Sequence, residues 1–296
     1  MKRRKLSARR RVRTGTALFL CMGAFAGLLL WHLLTTRVPA VAQLFPALGT
    51  LVCFALPALL GLCVIDGNQL RLLPARALSP GQALWLALTG VLAICPMTLL
   101  ADVLGALAGR FTLPLAAATA GAVPVTVLKQ LVYSALIVPL CEELFFRGYV
   151  QGALACYGEK RVAAFVALAF ALAHGLSINL SGLFLLGLLL CALTLRTGSL
   201  LASLLVHGLY NATLVLLSCS GLGALFEGLT PLSGLLRLLG CGTFAYAMRR
   251  AFAAKGAPPS QESALRLGQR EVLLLAAALL SIVAAQLAIE VLEVLL

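Results

Sequence analysis

The stretch Val138-Pro-Leu-Cys-Glu-Glu-Leu-Phe-Phe-Arg-Gly148 places three charged side chains, Glu142, Glu143 and Arg147, inside an apolar run. The whole chain has only 10 acidic residues among 296. Ionised groups at membrane depth are costly and usually serve a function. This stretch is therefore the first place to look for chemistry, and its apolar surroundings indicate a membrane helix.

The composition extends that interpretation to the whole chain. Hydrophobic residues make up 61% and charged residues 11%, and apolar runs of about 20 residues, enough to span a bilayer, recur along its length. We therefore predict an all-α, polytopic transmembrane bundle of about eight to nine membrane helices. Hydropathy places them near residues 15–35, 41–65, 83–108, 124–156, 162–179, 181–195, 199–219, 229–250 and 271–296.

The basic residues predict the orientation. Eight of the 14 residues before Gly15 are Lys or Arg, and most of the others lie in short loops. With the N-terminus in the cytoplasm only Arg37, Arg110 and Lys129 fall on the outside, while Arg147 and Arg237 lie within helices, which satisfies the positive-inside rule. This distribution argues against nucleic-acid binding, which needs a basic face on a soluble fold. The compact loops and basic N-terminus favour a bacterial inner-membrane protein.

The sequence divides into four parts. A basic cytoplasmic N-terminus covers 1–14, N-terminal transmembrane helices cover 15–109, a core with polar residues covers 124–219, and C-terminal transmembrane helices cover 229–296. The first apolar run, of about 20 residues, exceeds the 7–15 of a signal peptide, so we expect a retained anchor.

Three of the polar residues lie at a similar predicted depth, and helical phase separates the two glutamates. At 1.5 Å per residue, Glu142, His174 and His207 each lie about 16–20 Å along their helices from the nearest predicted cytoplasmic loop. Residues four apart share a helix face. Glu143 is thus the expected partner of Arg147, while Glu142 points elsewhere and is expected to be the carboxylate available for chemistry.

Four alternative interpretations of these groups remain open at this point. The charges could form a purely structural salt-bridge network. The glutamates and histidines could ligate zinc, although no His-Glu-x-x-His motif exists. Cys141 could be a thiol nucleophile, but the nine cysteines are dispersed through the chain, mostly in apolar segments, and adjacent helix positions face different ways. A non-enzymatic transporter could use the cluster as a proton or substrate path, or the protein could be a membrane scaffold.

Three ordered motifs carry a family resemblance. Glu142-Glu143-Leu-Phe-Phe-Arg147, Phe170-Ala-Leu-Ala-His174 and His207-Gly-Leu-Tyr-Asn211 resemble the E-E-x-x-x-R, F-x-x-x-H and H-x-x-x-N motifs of the CPBP family of intramembrane proteases. That family, also called Abi, includes the CAAX prenyl proteases and bacterial bacteriocin-processing proteins. The similarity covers about residues 124–219, which would then form the catalytic core.

The resemblance implies a site and a mechanism. Glu142 and His174 would activate a water for attack on a peptide carbonyl, while His207 and Asn211 would stabilise the oxyanion. Glu143 and Arg147 would support the site, and we expect the substrate pocket to involve the aromatic residues Phe146, Tyr149 and Phe170. No metal or other cofactor is expected. The expected partners are the lipid bilayer and a peptide or membrane-protein substrate, possibly lipidated or hydrophobic.

Overall fold

The computed structural model describes residues 2–38, 40–41, 47–65, 70, 73–107, 124–175, 180–226, 230–253 and 269–295. Arg110, one of the residues predicted to lie outside, is not among them. The described residues form helices and connecting turns, without a β-strand; one isolated bridge pairs Ala75 with Ser199. The predicted all-α fold is confirmed.

Ten helices can be followed through the described residues. They are α1 (Lys2–Arg37), α2 (Leu48–Ile65), α3 (Pro80–Leu92), α4 (Ile94–Leu107), α5 (124–157), α6 (Glu159–Leu172), α7 (Leu180–Thr197), α8 (Leu200–Ser220), α9 (Pro231–Ala253) and α10 (Gln269–Leu295). Six spans within this set are long and apolar enough to cross a membrane: Arg13–Arg37, Leu48–Ile65, Pro80–Leu107, Leu180–Thr197, Leu200–Ser220 and Gln269–Val291. The count of eight to nine membrane helices stays a prediction.

Three predicted helices differ most from those observed. The predicted helix 15–35 begins 13 residues earlier, because α1 runs from Lys2 and includes the basic N-terminal residues. The predicted helix 83–108 is interrupted at Ala93, whose backbone N–H donates to the carbonyl of Gly90, three residues earlier. Pro96, three residues later, has no N–H to donate to the preceding turn, and its ring disfavours a continuous helix there. The predicted helix 162–179 ends at Leu172 instead, because Gly175 adopts φ +98°, a left-handed conformation that commonly closes helices.

The chain forms two compact units, each built from separate stretches of sequence. Unit 1 contains residues 1–74, 141–176 and 260–296, and unit 2 contains residues 75–140 and 177–259. The four-part division made from sequence follows the chain order and stays a prediction beside this grouping.

Unit 1 is built around α1, which packs against α10 and α2. Close approaches inside it need residues without a side chain. Tyr149 packs against Gly61, and a Cβ at Gly49 would collide with the indole of Trp31. A core of aromatic rings results, in which Phe54 lies 5.6 Å from Phe145 between ring centroids.

Unit 2 packs α3 against α8 and α9, and α4 against α7 and α9. Glycines again mark the crossings. A Cβ at Gly90 would lie 2.9 Å from the Val206 carbonyl oxygen, and one at Gly182 would lie 2.7 Å from that of Met97. Backbones can approach this closely only at small residues, which is the usual way in which membrane helices pack.

Candidate active site

The Glu-Glu motif lies on α5, whose winding changes around it. The segment Val138–Glu143 is α-helical, whereas Val132–Ile137 before it and Leu144–Val150 after it are π-helical. Segments of π-helix are rare and often occur at functional sites. Sequence periodicity could not reveal them, because they change the winding without interrupting the helix.

Glu143 and Arg147 form the ion pair that helical phase predicts. Arg147 Nη1 donates to Glu143 Oε1 over 2.9 Å, and both side chains are essentially excluded from solvent. The guanidinium also lies over the ring of Phe170, with its carbon 4.3 Å from the ring centroid. The ion pair is thus part of the packed interior of unit 1, where an uncompensated charge would be costly.

Glu142 faces a different neighbour, His174. Its Oε2 lies 3.9 Å from His174 Nε2, which is longer than a hydrogen bond. Glu142 is buried, whereas 30% of the His174 side chain is accessible. His174 was predicted to lie within a helix. It lies two residues beyond α6, where its backbone N–H donates to the Ala171 carbonyl.

Phe170 fixes the orientation and tautomer of His174. The Phe170 carbonyl is 2.9 Å from His174 Nδ1, and the two ring centroids are 4.8 Å apart. Because a carbonyl can only accept, Nδ1 carries the proton in this bond. In the neutral imidazole, Nε2 therefore presents its lone pair towards Glu142.

His207 and Asn211 lie on α8 in unit 2. His207 is buried, and Asn211 donates from Nδ2 to the Ser134 carbonyl over 2.8 Å. The winding of α5 explains why that carbonyl accepts from a side chain. Val138 directs its N–H to Tyr133, and the next residue is Pro139, which has no N–H.

A close helix crossing holds this part of α8 in place. A Cβ at Gly208 would lie 2.6 Å from the Ala135 carbonyl oxygen, so α8 and the π-helical segment of α5 touch there backbone to backbone. The His207–Asn211 motif therefore occupies a fixed position inside unit 2.

The three aromatic residues predicted for the substrate pocket lie in the core of unit 1. Phe146, Tyr149 and Phe170 are all 0% exposed. Phe146 packs edge-on against Phe170, with centroids 5.6 Å apart. In this structure they pack against other side chains of the unit, and their contact with substrate stays a prediction.

Sequence reasoning missed a second buried ion pair, in unit 2. Arg237 Nη1 donates to Asp102 Oδ2 over 2.6 Å, and Arg237 also donates to the backbone and hydroxyl oxygens of Ser233. Arg237 is 0% exposed and Asp102 7%. The available signal was that each is the one charge inside the apolar part of its helix.

The described residues include no group of three or more His, Cys, Asp or Glu side chains arranged to hold a metal ion. In unit 1, Glu142 and His174 place a carboxylate and an imidazole 3.9 Å apart. Chemically, a carboxylate beside an imidazole lone pair can bind and deprotonate a water.

The protein is an integral membrane protein, because it has helices able to span a bilayer. Its interior contains buried carboxylate, guanidinium and imidazole groups. Residues 124–213 match the family model of the type II CAAX prenyl endopeptidase Rce1-like proteins. All three motifs fall within that range, and the match agrees with the resemblance of these motifs to the CPBP family. The matched family model is one of CAAX-type endopeptidases, which supports a peptidase at the family level. Comparisons with curated proteins and with solved structures found no match.

Proposed function

We propose that this protein is an intramembrane endopeptidase that hydrolyses a peptide bond near the cytosolic face with a water activated by Glu142 and His174. The observation that carries the proposal is the approach of Glu142 Oε2 to His174 Nε2 at 3.9 Å, beside a solvent-accessible imidazole. The match of residues 124–213 to a peptidase family supports the same reaction class.

The chemistry follows from the two facing atoms. With Nδ1 of His174 bound to the Phe170 carbonyl, Nε2 and the Glu142 carboxylate are both acceptors. Two acceptors 3.9 Å apart can each receive a hydrogen bond of about 2.8 Å from the same water. That water would be oriented by both groups and would pass its proton to one of them as its oxygen attacks the carbonyl carbon.

The proposed oxyanion donors are His207 and Asn211. A carboxamide has two N–H groups. One Asn211 N–H is directed to Ser134, and the proposal assigns the second to the oxyanion, together with an N–H of His207. Neutral donors aimed at developing charge stabilise transition states of acyl transfer by about 3–4 kcal/mol each.

The proposed supporting residues are Glu143 and Arg147. Arg147 contacts Glu143 on one side and Phe170 on the other, and Phe170 contacts His174 through both its ring and its carbonyl. This chain of contacts would transmit any displacement of Arg147 to the imidazole.

We also infer that the protein lies in a bacterial inner membrane with a cytoplasmic N-terminus, since basic residues concentrate on one side of the predicted helices. A reporter fused after Arg250 should then read cytoplasmic and one fused at Gly221 external. The opposite pattern would invert the helices and move the site towards the outer face.

The experiment that tests the protease function is quantitative proteomics of membrane peptides from cells with the wild-type protein or Glu142→Gln. We expect at least one hydrophobic or lipidated precursor to accumulate in the variant and its cleaved product to disappear. Glu159→Gln, an exposed carboxylate on α6, is the matched control and should leave the peptides unchanged. Identical peptide sets from wild type and Glu142→Gln would contradict proteolysis by this site.

A further inference from the structure

One end of unit 2 carries exposed arginines supported by aromatic rings. Four contacts show that the chain segments meet at this end. Arg76 donates its backbone N–H to the Gly198 carbonyl, Gln82 donates from Nε2 to Ala251, and two arginine–ring contacts join further helices. The start of α3 and the ends of α7 and α9 therefore lie together.

Two guanidinium groups are held on aromatic faces there. The Arg196 guanidinium carbon is 5.0 Å from the Phe252 ring centroid, and that of Arg250 is 5.4 Å from the Trp85 ring. We call Arg196, Arg249, Arg250, Trp85, Tyr246 and Phe252 the arginine–aromatic patch. All three of its arginines are exposed, and stacking restricts two of them without neutralising their charge.

Few carboxylates compete for these charges within the unit. Among the described residues of unit 2 the single acidic side chain is Asp102, which Arg237 already contacts. Arg237 is 13 residues from Arg250 on α9, a separation of about 20 Å along the helix. Among the described residues of unit 2, the patch therefore carries positive charge without a neighbouring carboxylate.

The aromatic residues indicate the environment of this end. Trp85 and Tyr246 contact edge to face with centroids 5.6 Å apart, and Tyr246 is 55% exposed. Trp and Tyr concentrate at the boundary between hydrocarbon and headgroups. Favourable interaction with the helix dipole would explain arginines in the last turns of α7 and α9. It does not explain the rings that support them.

We propose that the arginine–aromatic patch binds the headgroup of an anionic phospholipid. The guanidinium fork matches phosphate oxygens bidentately, and basic pockets between membrane helices are suited to anionic headgroups. Trp85 and Tyr246 lie beside the glycerol region in this arrangement, and the lipid joins α3, α7 and α9 at their ends.

The test is a titration of the full-length protein in neutral detergent with phosphatidylglycerol or phosphatidylcholine, followed by native mass spectrometry. Wild type should bind phosphatidylglycerol preferentially, and raised salt should weaken that preference. Each arginine near an anionic surface contributes roughly fivefold in binding, so Arg196→Gln/Arg250→Gln should weaken phosphatidylglycerol binding by about 20-fold or more. Arg161→Gln, an exposed arginine of unit 1, is the matched control and should change it little.

Several outcomes would overturn the proposal. These are equal binding of the two lipids by wild type, unchanged phosphatidylglycerol binding in the double variant, or an equal loss in Arg161→Gln. Displacement of phosphatidylglycerol by a polyglutamate peptide at lower concentration would identify an acidic polypeptide as the partner instead. If the glutamine variant does not fold, Arg196→Lys/Arg250→Lys replaces it. Lysine keeps the charge but loses the planar fork, so binding should fall several-fold, and unchanged binding would again contradict the proposal.

Discussion

Among the residues that the structure describes, two arginines are buried, Arg147 in unit 1 and Arg237 in unit 2, and each is paired with a carboxylate in a different way. Both are fully excluded from solvent and both contact a buried carboxylate. Arg147 takes its partner from four residues earlier on the same helix, whereas Arg237 takes Asp102 from another helix, 135 residues away in sequence.

Because one pair lies within a single helix and the other joins two helices, we expect the two pairs to have different roles. The Glu143–Arg147 pair cannot hold two helices together, because both residues are on α5. Its further contact is with the Phe170 ring, which orients His174. The Asp102–Arg237 pair joins α4 to α9 within unit 2. We therefore expect the first pair to affect chemistry as well as stability, and the second to affect stability alone.

The largest effect is expected from Asp102→Asn. It removes the countercharge of Arg237 in the interior, and breaking a buried ion pair on one side costs about 3–5 kcal/mol. We expect a value near the upper end because two helices lose their link. Thermal or denaturant unfolding in one detergent measures it.

Asp102→Leu/Arg237→Met is the control for that prediction. It removes both charges and should recover most of the lost stability, because no unpaired charge is left. A double variant as unstable as Asp102→Asn would show that the pair stabilises unit 2 through packing and not through charge.

Next comes Glu143→Gln, which leaves Arg147 without its countercharge. A loss of about 3 kcal/mol in unfolding free energy is expected, at the lower end of the range for broken buried pairs, since the helix backbone still holds both residues. Glu159→Gln, at an exposed position, should stay within about 0.5 kcal/mol of wild type. Equal stabilities of the two variants would contradict a structural role for the local pair.

The local pair was predictable from sequence and the distant one was not, for a physical reason. Four residues on one helix fix a side-chain distance before any packing is known. The approach of Asp102 to Arg237 depends on how α4 and α9 pack, and no motif encodes that. Most helix boundaries were also predictable, because apolar runs of bilayer length leave few alternatives.

Three local features were missed although residues signalled two of them. Pro96 indicated the interruption at Ala93, and Gly175 indicated that α6 would close before His174. The π-helical segments of α5 had no such signal. In the π-helical winding, the Val138 N–H donates to the Tyr133 carbonyl, which leaves the Ser134 carbonyl to accept from Asn211. The geometry of an ideal α-helix does not predict this contact.

Asn211→Ala is expected to affect catalysis, by an amount similar in free energy to the stability loss of Glu143→Gln. Asn211→Ala should lower kcat by about 10²-fold with little change in KM, because an oxyanion donor acts mainly in the transition state. Thr213→Val removes another hydrogen-bonding side chain from the same helix and should keep kcat. A rise in KM alone would restrict Asn211 to its structural bond with Ser134.

The smallest effect is expected from metal removal. Activity after treatment with phenanthroline should change by less than about twofold, since carboxylate and imidazole can activate water without a cation. Loss on chelation with recovery on adding zinc would instead identify a metal hydrolase, in which Glu142 and His174 act as ligands.

The central claim is that Glu142, and not its neighbour, activates the water. The most direct test measures thermal stability and peptide turnover for Glu142→Gln and Glu143→Gln, in one detergent and on one accumulated precursor. Glu142→Gln should keep its fold and lose turnover by about 10²-fold or more, while Glu143→Gln should first lose stability. Near wild-type turnover in Glu142→Gln, with turnover abolished in folded Glu143→Gln, would contradict this assignment of the two carboxylates.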